Sequence, residues 1–408
     1  MYIIIEYVVY ERLVIKMSNN TRVLVAINTI GRIIEIFLGP FLTAYIFKVS
    51  TDSIISVSLY NIFSYIIITL FSFVVGILIK NKYKMLTLRI GMISKFIQLI
   101  ILTLLGKKVI KFIWLVAIIE GFSTITWYFP INLFSSVLVP NKEKKDYVVY
   151  KNIIINITMV ILPALFGAII SEKSFEKTTI IVLVLSFVQI ILSFKLDYKE
   201  NNNSSIRRFK LLDTINTIKK DNNIKEFFKM TFFVGMTSAG ALKTTISLLI
   251  IIAFSKDFSF GIVTSITYLS SIISAYICKK IICPKKIKVL IYMSGIVPLF
   301  CTIVLLFITN QYTIIIYNIL YAFFIQIINI VRGIKTLKIT NSSIINDSNR
   351  VEVYVLIEFM LGMGRIISFI LLLIVGFFNS FYMLKILIIF LTICIFLSGL
   401  HLSKIEIE

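Results

Sequence analysis

Long apolar runs, separated by short polar turns, follow one another along the whole chain. The runs predict twelve spans, at 22–47, 54–79, 85–105, 112–139, 147–170, 178–196, 226–254, 259–282, 288–308, 313–340, 351–375 and 381–402. Each run is close to the roughly 20 residues that a helix needs to cross the apolar core of a bilayer. A membrane β-barrel would instead alternate apolar and polar positions. The pattern therefore predicts an all-α polytopic membrane protein with twelve transmembrane helices.

One polar, basic stretch, Lys195 to Glu226, interrupts this rhythm and divides the spans six and six. The blocks on either side have nearly equal lengths, 175 residues at 22–196 and 177 residues at 226–402. Equal halves of this kind are typical of transporters built from two similar units. We therefore expect two six-helix bundles, joined by a cytoplasmic linker at 197–225 and followed by a short cytoplasmic tail at 403–408.

Composition agrees with a lipid environment, because 58% of the 408 residues are hydrophobic and the mean hydropathy is +0.97. The net charge of +22 has a topological explanation: of the 42 Lys and Arg residues, 30 fall on the side that holds the termini, 7 on the other side and 5 within spans. Basic residues concentrate on the cytoplasmic side of membrane proteins. We expect a plasma-membrane protein with both termini in the cytoplasm and no nucleic-acid partner.

Residues 1–21 are expected to form a cytoplasmic N-terminal segment. The first sixteen carry Glu6 and Glu11, lack a small-residue cleavage site and are too short to span, so they do not resemble a secretory signal. Two interpretations stay open: a start assigned ahead of a true start at Met17, or an interfacial helix.

Catalytic and metal-binding patterns are missing from the sequence. It has one histidine, His401, four cysteines without zinc-type spacing, and no glycine-rich phosphate loop. We expect no cofactor, no resident metal and no enzymatic activity.

Charged and polar residues recur at helical spacing inside several apolar spans. A charge at the centre of a bilayer costs about 2.5–3.5 kcal/mol, so it is expected to face protein or a water-filled cavity. The residues that we expect along a substrate or proton pathway are Asn28, Arg32 and Glu35 on span 1, Glu120 and Trp127 on span 4, Lys243 on span 7, Asn318, Gln326 and Asn329 on span 10, and Glu358 and Arg365 on span 11.

Structural interpretations stay open beside this one. Arg32 and Glu35 are spaced to form a neutralised pair that only fixes helix packing. Glu358 and Arg365 have the same alternative, and the amides of span 10 are suited to joining helices by hydrogen bonds. Lys95 on span 3 and Lys385 on span 12 are interpreted as structural or snorkelling residues.

Twelve spans as six plus six, a basic middle loop and polar stripes on spans 1, 4, 7 and 10 resemble the major facilitator superfamily. The resemblance implies that these four helices line a central cavity and that the two halves rock to give alternating access. It covers the chain after about residue 20 and is carried more by architecture than by motif.

Two short motifs add to the resemblance. The family's loop between spans 2 and 3 reads roughly Gly-x-Leu-x-Asp-Arg-x-Gly-Arg-Lys; Gly76, Leu78 and Lys84 match it, whereas Lys80 replaces the aspartate. In span 5, Pro163 and Gly167 match a Gly-Pro-x-x-Gly-Gly motif of antiporters, of which this stretch is a degenerate version. This second match favours export by antiport.

These features together predict a monomeric secondary transporter of a small molecule, coupled to protons and acting in efflux. Glu35 is the first candidate for reversible protonation and Glu120 the second, while Lys243 is suited to bind an anionic substrate or to close the cavity on a carboxylate. Uptake by symport and flipping of a lipid-linked saccharide are the alternatives within transport. A membrane receptor that transports nothing and a membrane-embedded transferase are the alternatives of a different class.

Overall fold

The computed structural model describes residues 18–81, 83–140, 143–196, 209–254, 256–281, 287–340, 345, 349–378 and 380–405. The N-terminal leader with the alternative start at Met17 lies outside the described residues, as do linker residues 197–208 and tail residues 406–408.

Span 1 consists of Asn19–Ile36, a π-helical turn at Phe37–Phe41 and Leu42–Val49; spans 2 to 6 are Ile54–Lys80, Lys84–Leu105, Ile113–Val137, Lys144–Glu172 and Phe175–Phe194. A 3₁₀ segment, Gly106–Phe112, precedes span 4, and a short linker helix, Leu211–Ile218, precedes span 7. Span 7 consists of Asn222–Met236 and Ala241–Phe254; spans 8 to 12 are Asp257–Ile281, Ile287–Phe307, Gln311–Thr340, Arg350–Phe378 and Phe381–Lys404.

Ten of these spans are long and apolar enough to cross a membrane by length and composition, and spans 3 and 4 complete the predicted order. Large apolar side chains on the outside of the bundle are exposed, among them Leu104, Phe300 and Phe307. In a bilayer this surface contacts lipid instead of water. The predicted all-α polytopic membrane fold is confirmed.

The same packing pattern occurs in each half of the chain. Span 1 packs on spans 5 and 6, span 2 on span 4, and span 3 on spans 4 and 6. Span 7 packs in the same way on spans 11 and 12, span 8 on span 10, and span 9 on spans 10 and 12. Each contact of the first half therefore has a counterpart six spans later, as expected for two similar bundles.

The most extensive contacts between the halves are made by two pairs of spans: span 2 with span 11, and span 5 with span 8. We call the side of the molecule where spans 6 and 7 meet the linker the linker face, and the other side the opposite face. On spans 5 and 8 the backbones approach closely near the opposite face, since a Cβ on Gly167 would lie 2.6 Å from the Asp257 carbonyl oxygen. Small residues permit such close helix contacts.

Aromatic side chains fill the core near the opposite face. Phe37 of span 1 stacks on Phe175 of span 6 at a centroid distance of 4.9 Å, and Phe41 meets Phe260 of span 8 edge-on at 5.4 Å. The second contact crosses between the halves. Spans 1 and 8 are therefore in direct contact at that level.

Spans 1 and 7 are interrupted, although the sequence predicted them as continuous. In span 1, Pro40 has no backbone N–H, and the helix widens to a π turn around it. In span 7 the helix stops at Met236 and starts again at Ala241, whose N–H donates to the Ser368 hydroxyl at 3.1 Å. Irregular backbone at membrane depth is tolerated where it lines a cavity or is bound by protein.

Candidate functional site: a two-part cavity between the halves

Two adjoining cavities lie between the bundles. The first has a volume of about 380 Å³ and is lined by spans 1, 2, 4, 7 and 11. The second, of about 490 Å³, is lined by spans 1, 5, 7, 8 and 10. Both cavities contact Arg32, Pro40, Ser238, Lys243 and Ser247. Spans 1 and 7, the first helices of the two halves, therefore form the wall that the cavities share.

Arg32 and Glu35 form an ion pair on the wall of the first cavity. Arg32 Nη1 donates to Glu35 Oε2 at 2.6 Å, and the side chains are 33% and 31% exposed. The guanidinium also lies 5.9 Å from the ring centroid of Tyr128 on span 4. The helical spacing predicted this pair, and its partial exposure shows that it faces the cavity and is not sealed between helices.

Glu120 is held by a lysine from a neighbouring span. Lys95 Nζ of span 3 donates to both oxygens of Glu120, at 2.9 and 3.0 Å, and lies 3.2 Å from the Thr124 hydroxyl oxygen. Thr124 in turn donates to Glu120 Oε1 at 2.9 Å. Lys95 is buried behind the wall, whereas Glu120 and Thr124 line the first cavity. The structural interpretation of Lys95 thus agrees with its place, but its partner is a residue of the cavity.

Arg365 connects span 11 to the break in span 7. Its Nε donates to the Ala239 carbonyl at 3.2 Å, and its Nη1 lies 3.5 Å from Glu358 Oε2. The guanidinium also lies 5.1 Å from the ring centroid of Tyr65 on span 2. Arg365 therefore satisfies a carbonyl that the interrupted helix leaves free while it balances a carboxylate of the cavity.

The second cavity has a different chemistry. Its described lining contains three cationic side chains, Arg32, Lys151 and Lys243, and no carboxylate. Amide and hydroxyl side chains cover much of the remaining wall: Asn152, Asn156, Ser238, Ser247, Thr264, Thr267, Tyr268, Ser271, Asn318, Gln326 and Asn329. This is a polar, positively charged chamber within the membrane-spanning part of the protein.

Nine of the eleven residues predicted for the pathway line one or both cavities. They are Arg32, Glu35, Glu120, Lys243, Glu358 and Arg365 in the first cavity, and Arg32, Lys243, Asn318, Gln326 and Asn329 in the second. Asn28 and Trp127 line neither. Asn28 is buried and donates to Leu24 O and Tyr147 Oη, and Trp127 packs against Gly31.

Several cavity residues were missed from the sequence. Lys151 is one of the 30 basic residues that the sequence places on the side of the termini, yet it lines the second cavity. The polar residues Lys151, Asn152 and Asn156 were the available signal, since Asn152 and Asn156 share one helical face and Lys151 lies beside it. Tyr65, Tyr128 and Tyr268 gave no signal, because tyrosine is common in apolar spans and at membrane interfaces.

The residues of the loop motif lie where spans 2 and 11 meet. Gly76 faces Val355 and the ring of Phe209, the Leu78 carbonyl accepts a hydrogen bond from Tyr83 N at 3.0 Å, and Lys84 begins span 3. Lys80, which replaces the family's aspartate, forms an ion pair with Glu352 of span 11. The charge contact is thus present across the halves with a lysine on the span 2 side.

The span 5 motif lies at the contact with span 8. The carbonyl of Pro163 faces Gly261, and Ala164 N donates to Ser265 Oγ at 3.1 Å. Gly167 lies one turn further on, against Asp257. The two motif residues lie in the close helix contact that joins the halves.

Two helical bundles around a polar cavity, with charged residues from both halves on its walls, define an integral membrane transporter. The sequence profile of the Major Facilitator Superfamily matches residues 23–337, and the chain belongs to this family. The resemblance found in the sequence is therefore confirmed, and the protein is a transporter and not an enzyme. No curated protein is significantly similar to the chain in sequence.

Solved transporter structures share the fold. The nucleoside transporter NupG aligns with 95% of this chain and 100% of its own, with a TM-score of 0.68 and 13% identity. A bacterial homologue of the iron transporter ferroportin, in an inward-facing state, aligns with 94% and 97%, with a TM-score of 0.63 and 11% identity. A bacterial metal transporter aligns with 96% of this chain and 100% of its own, with a TM-score of 0.62 and 12% identity. At these identities the likeness is one of fold.

Metal-ligating side chains are not clustered in the part of the chain that the structure describes, where no group of three His, Cys, Asp or Glu residues is placed to hold an ion. The likeness to metal transporters therefore brings no matching ligand set from those residues.

Proposed function

We propose that the protein is a proton-coupled secondary active transporter that moves a small molecule across the plasma membrane by alternating access. The observation that carries the proposal is the Arg32–Glu35 pair, which is partly exposed in a cavity shared by both halves. Acidic residues inside membrane-spanning bundles are typical of proton pathways. In this proposal Glu35 is the carboxylate that takes up and releases the proton, and bound substrate changes its protonation.

The other two carboxylates are less exposed, at 19% for Glu120 and 13% for Glu358 against 31% for Glu35. Glu120 is bound by Lys95 and Thr124, and Glu358 lies against Arg365 on its own helix. Among the described residues, the ion-pair partner of Glu35 is Arg32, which also lines the second cavity. A molecule that enters the second cavity can therefore act on Glu35 through Arg32, and this coupling is the reason for choosing Glu35 over Glu120.

Alternating access requires that the halves separate on one side and close on the other. The contacts of span 5 with span 8 and the Lys48–Asp257 ion pair, at 2.8 Å, support closure at the opposite face. The second cavity extends toward the linker face, where Asn152 of span 5 and Ala275 of span 8 lie on its walls. The excess of basic residues on the linker face favours a cytoplasmic location for it and for both termini. A chain that encloses its own pathway is expected to act as a monomer.

The direction of transport follows from the sign of the coupling. Efflux by antiport, the sequence prediction, requires substrate and proton to exclude each other, as a cationic substrate would do on Glu35. Uptake by symport requires the substrate to favour protonation, as an anion that takes Arg32 from Glu35 would do. The match of Pro163 and Gly167 to the antiporter motif favours the first candidate, and the position of Arg32 beside the cationic second cavity favours the second.

Proteoliposomes test the proposal. We would follow rhodamine 123, a cation, and carboxyfluorescein, an anion on the same ring system, under proton gradients imposed in either direction. Gradient-driven movement of a dye is expected in the wild type, lost in Glu35→Gln and kept in the control Glu172→Gln, which changes an exposed glutamate at the end of span 5. Movement that persists in Glu35→Gln would place the coupling elsewhere. Movement that ignores the gradient would contradict proton coupling.

A further inference from the structure

Charge is divided unevenly between the two cavities. All three carboxylates of the central region, Glu35, Glu120 and Glu358, line the first cavity. The described wall of the second cavity carries cations and no carboxylate. The two cavities adjoin at Arg32 and Lys243, so the boundary between them is also the boundary between mixed and purely positive charge.

The lysines of the second cavity form no direct ion pair with a carboxylate of the described residues. Among the described residues, neither Lys151 nor Lys243 lies within 4.0 Å of an Asp or Glu oxygen, the limit that defines the ion pairs found elsewhere in the chain. Lys151 Nζ instead lies 5.3 Å from the ring centroid of Tyr147. A cation at membrane depth without a carboxylate in direct contact is costly, and an anionic ligand would lower that cost.

Hydrogen-bonding groups surround the cations. Asn318 donates through Nδ2 to the Ile314 carbonyl at 2.8 Å, while its buried Oδ1 has no partner among the described residues. The buried Oδ1 of Asn329, further along the same span, has none either. Both residues and Gln326 line the cavity, so a ligand with hydroxyl or amide groups can be bound along span 10.

The break in span 7 adds to the positive potential. The second helix of this span begins at Ala241. Ser238, which lies in the break just before this helix, lines the second cavity. The N-terminus of a helix carries a partial positive charge of roughly half an electron charge. This end of the helix therefore acts in the same sense as Lys243, which lies in its first turn.

We propose that the second cavity binds the transported molecule as a small organic anion, with its carboxylate or phosphate group between Arg32, Lys151 and Lys243. This inference rests on the proposed function, because the bound anion is the substrate. The polar remainder of the anion contacts the amides of span 10, and its apolar part contacts Ile155 and Ile325. A volume of about 490 Å³ lies within the usual range of small-molecule sites, roughly 300–1,000 Å³.

Equilibrium binding in lipid nanodiscs tests the site without requiring transport. Fluorescence anisotropy would compare carboxyfluorescein with rhodamine 123, and a sugar phosphate and a tricarboxylate would be added as competitors. We expect the anionic dye to bind at least about tenfold more tightly than the cationic dye, and the anions to displace it. Lys151→Gln and Lys243→Gln are each expected to weaken binding of the anionic dye at least about tenfold, since each removes a cation that pairs with the desolvated anion.

Two further variants make the result specific. Lys151→Arg keeps the positive charge and is expected to retain binding. Retained binding in this variant would show that the loss in Lys151→Gln comes from the missing charge and not from a defect in folding. Lys385→Gln removes a lysine on span 12 that contacts the Phe381 ring and the Leu306 carbonyl, outside both cavities, and is expected to bind as the wild type does. All variants would be compared as monodisperse protein.

Equal affinity for the two dyes, preference for the cation, or anion binding that survives both glutamine substitutions would overturn the proposal. So would the absence of binding by all three anions up to about 1 mM. The proposed function fails separately: anion binding with the expected variant pattern, but without any gradient-driven flux, would contradict proton coupling and leave the site standing. Proton-driven flux of rhodamine 123 without anion binding would overturn the anion site and leave proton coupling standing.

Discussion

Lys95 lies on span 3, behind the wall of the first cavity, and is 7% exposed. Its ammonium group holds the Glu120 carboxylate in place, so the two charges neutralise each other within the bundle. Removing one partner of a buried ion pair is much more damaging than replacing both, because the remaining charge keeps its desolvation cost.

We therefore predict that Lys95→Met lowers the free energy of unfolding by about 3 kcal/mol and that Lys95→Met with Glu120→Leu restores much of the loss. Thermal unfolding in detergent, followed by size-exclusion chromatography, would rank the variants by apparent melting temperature. Lys385→Met is the control, since Lys385 forms no ion pair among the described residues. A double variant less stable than Lys95→Met would show that the pair does not act as a unit.

At the scale of single residues, the charges on spans 1, 7 and 11 could be predicted from the sequence because an isolated charge in an apolar run stands out. The partner of Glu120 could not, since Lys95 and Glu120 are 25 positions apart and meet only through the packing of spans 3 and 4. Lys151 was assigned to topology because the positive-inside rule counts basic residues near span ends without regard to the helix face they occupy.

At the scale of elements, the interrupted span 7 shows what hydropathy alone leaves out. The run 226–254 is predominantly apolar, so the pattern predicts one helix. The break depends on groups from span 11, because Arg365 binds the Ala239 carbonyl and Ser368 accepts from Ala241 N. Contacts between distant parts of the chain thus determine where this helix ends, and Gly235 and Gly240 were local signals for it.

The contact between spans 5 and 8 also depends on small residues. A Cβ at position 167 would lie 2.6 Å from the Asp257 carbonyl oxygen, a backbone atom that cannot turn aside. An alanine there must push the two helices apart, and overpacking of this kind costs about 1–3 kcal/mol. We predict that Gly167→Ala lowers both the apparent melting temperature and the transport rate.

The matched control for this prediction is Gly333→Ala on span 10, where a Cβ would meet no heavy atom within 4 Å. Gly333→Ala is expected to leave stability unchanged or slightly raised, because alanine favours helix more than glycine does. Thermal unfolding and proteoliposome flux of the two variants would be measured side by side. Equal behaviour of both alanine variants would mean that the close approach of spans 5 and 8 is unimportant.

At the scale of the whole molecule, ion pairs join the two halves at both faces. Lys48 and Asp257 meet at the opposite face, where both side chains remain partly exposed. At the linker face, Lys80 and Glu352 are 6% and 0% exposed, and Glu352 also accepts from the backbone N–H of Lys210 in the linker at 2.9 Å. Because a change to one member of a buried pair leaves an uncompensated charge, substitutions at Lys80 or Glu352 are expected to be more damaging than those at the exposed pair.

The Lys80–Glu352 pair gives a test of how the halves are held together, because the family's usual residue at position 80 is an acid. Lys80→Asp would place two carboxylates on either side of the same contact, and like charges in a buried site repel each other. We predict that this variant loses transport and has a lower apparent melting temperature than the wild type. Glu352→Lys alone is expected to fail in the same way, with two cations facing each other.

The exchange of both residues, Lys80→Asp with Glu352→Lys, restores opposite charges across spans 2 and 11 but removes the acceptor for Lys210 N. We predict that this double variant recovers part of the transport rate lost in each single variant. If the pair mattered only through side-chain packing, the double variant would be worse than either single one, since both positions would then carry the wrong shape. Recovery in flux without full recovery of stability would assign the ion pair to the joining of the halves and the remaining loss to the linker contact, because only the latter is absent from the exchanged protein.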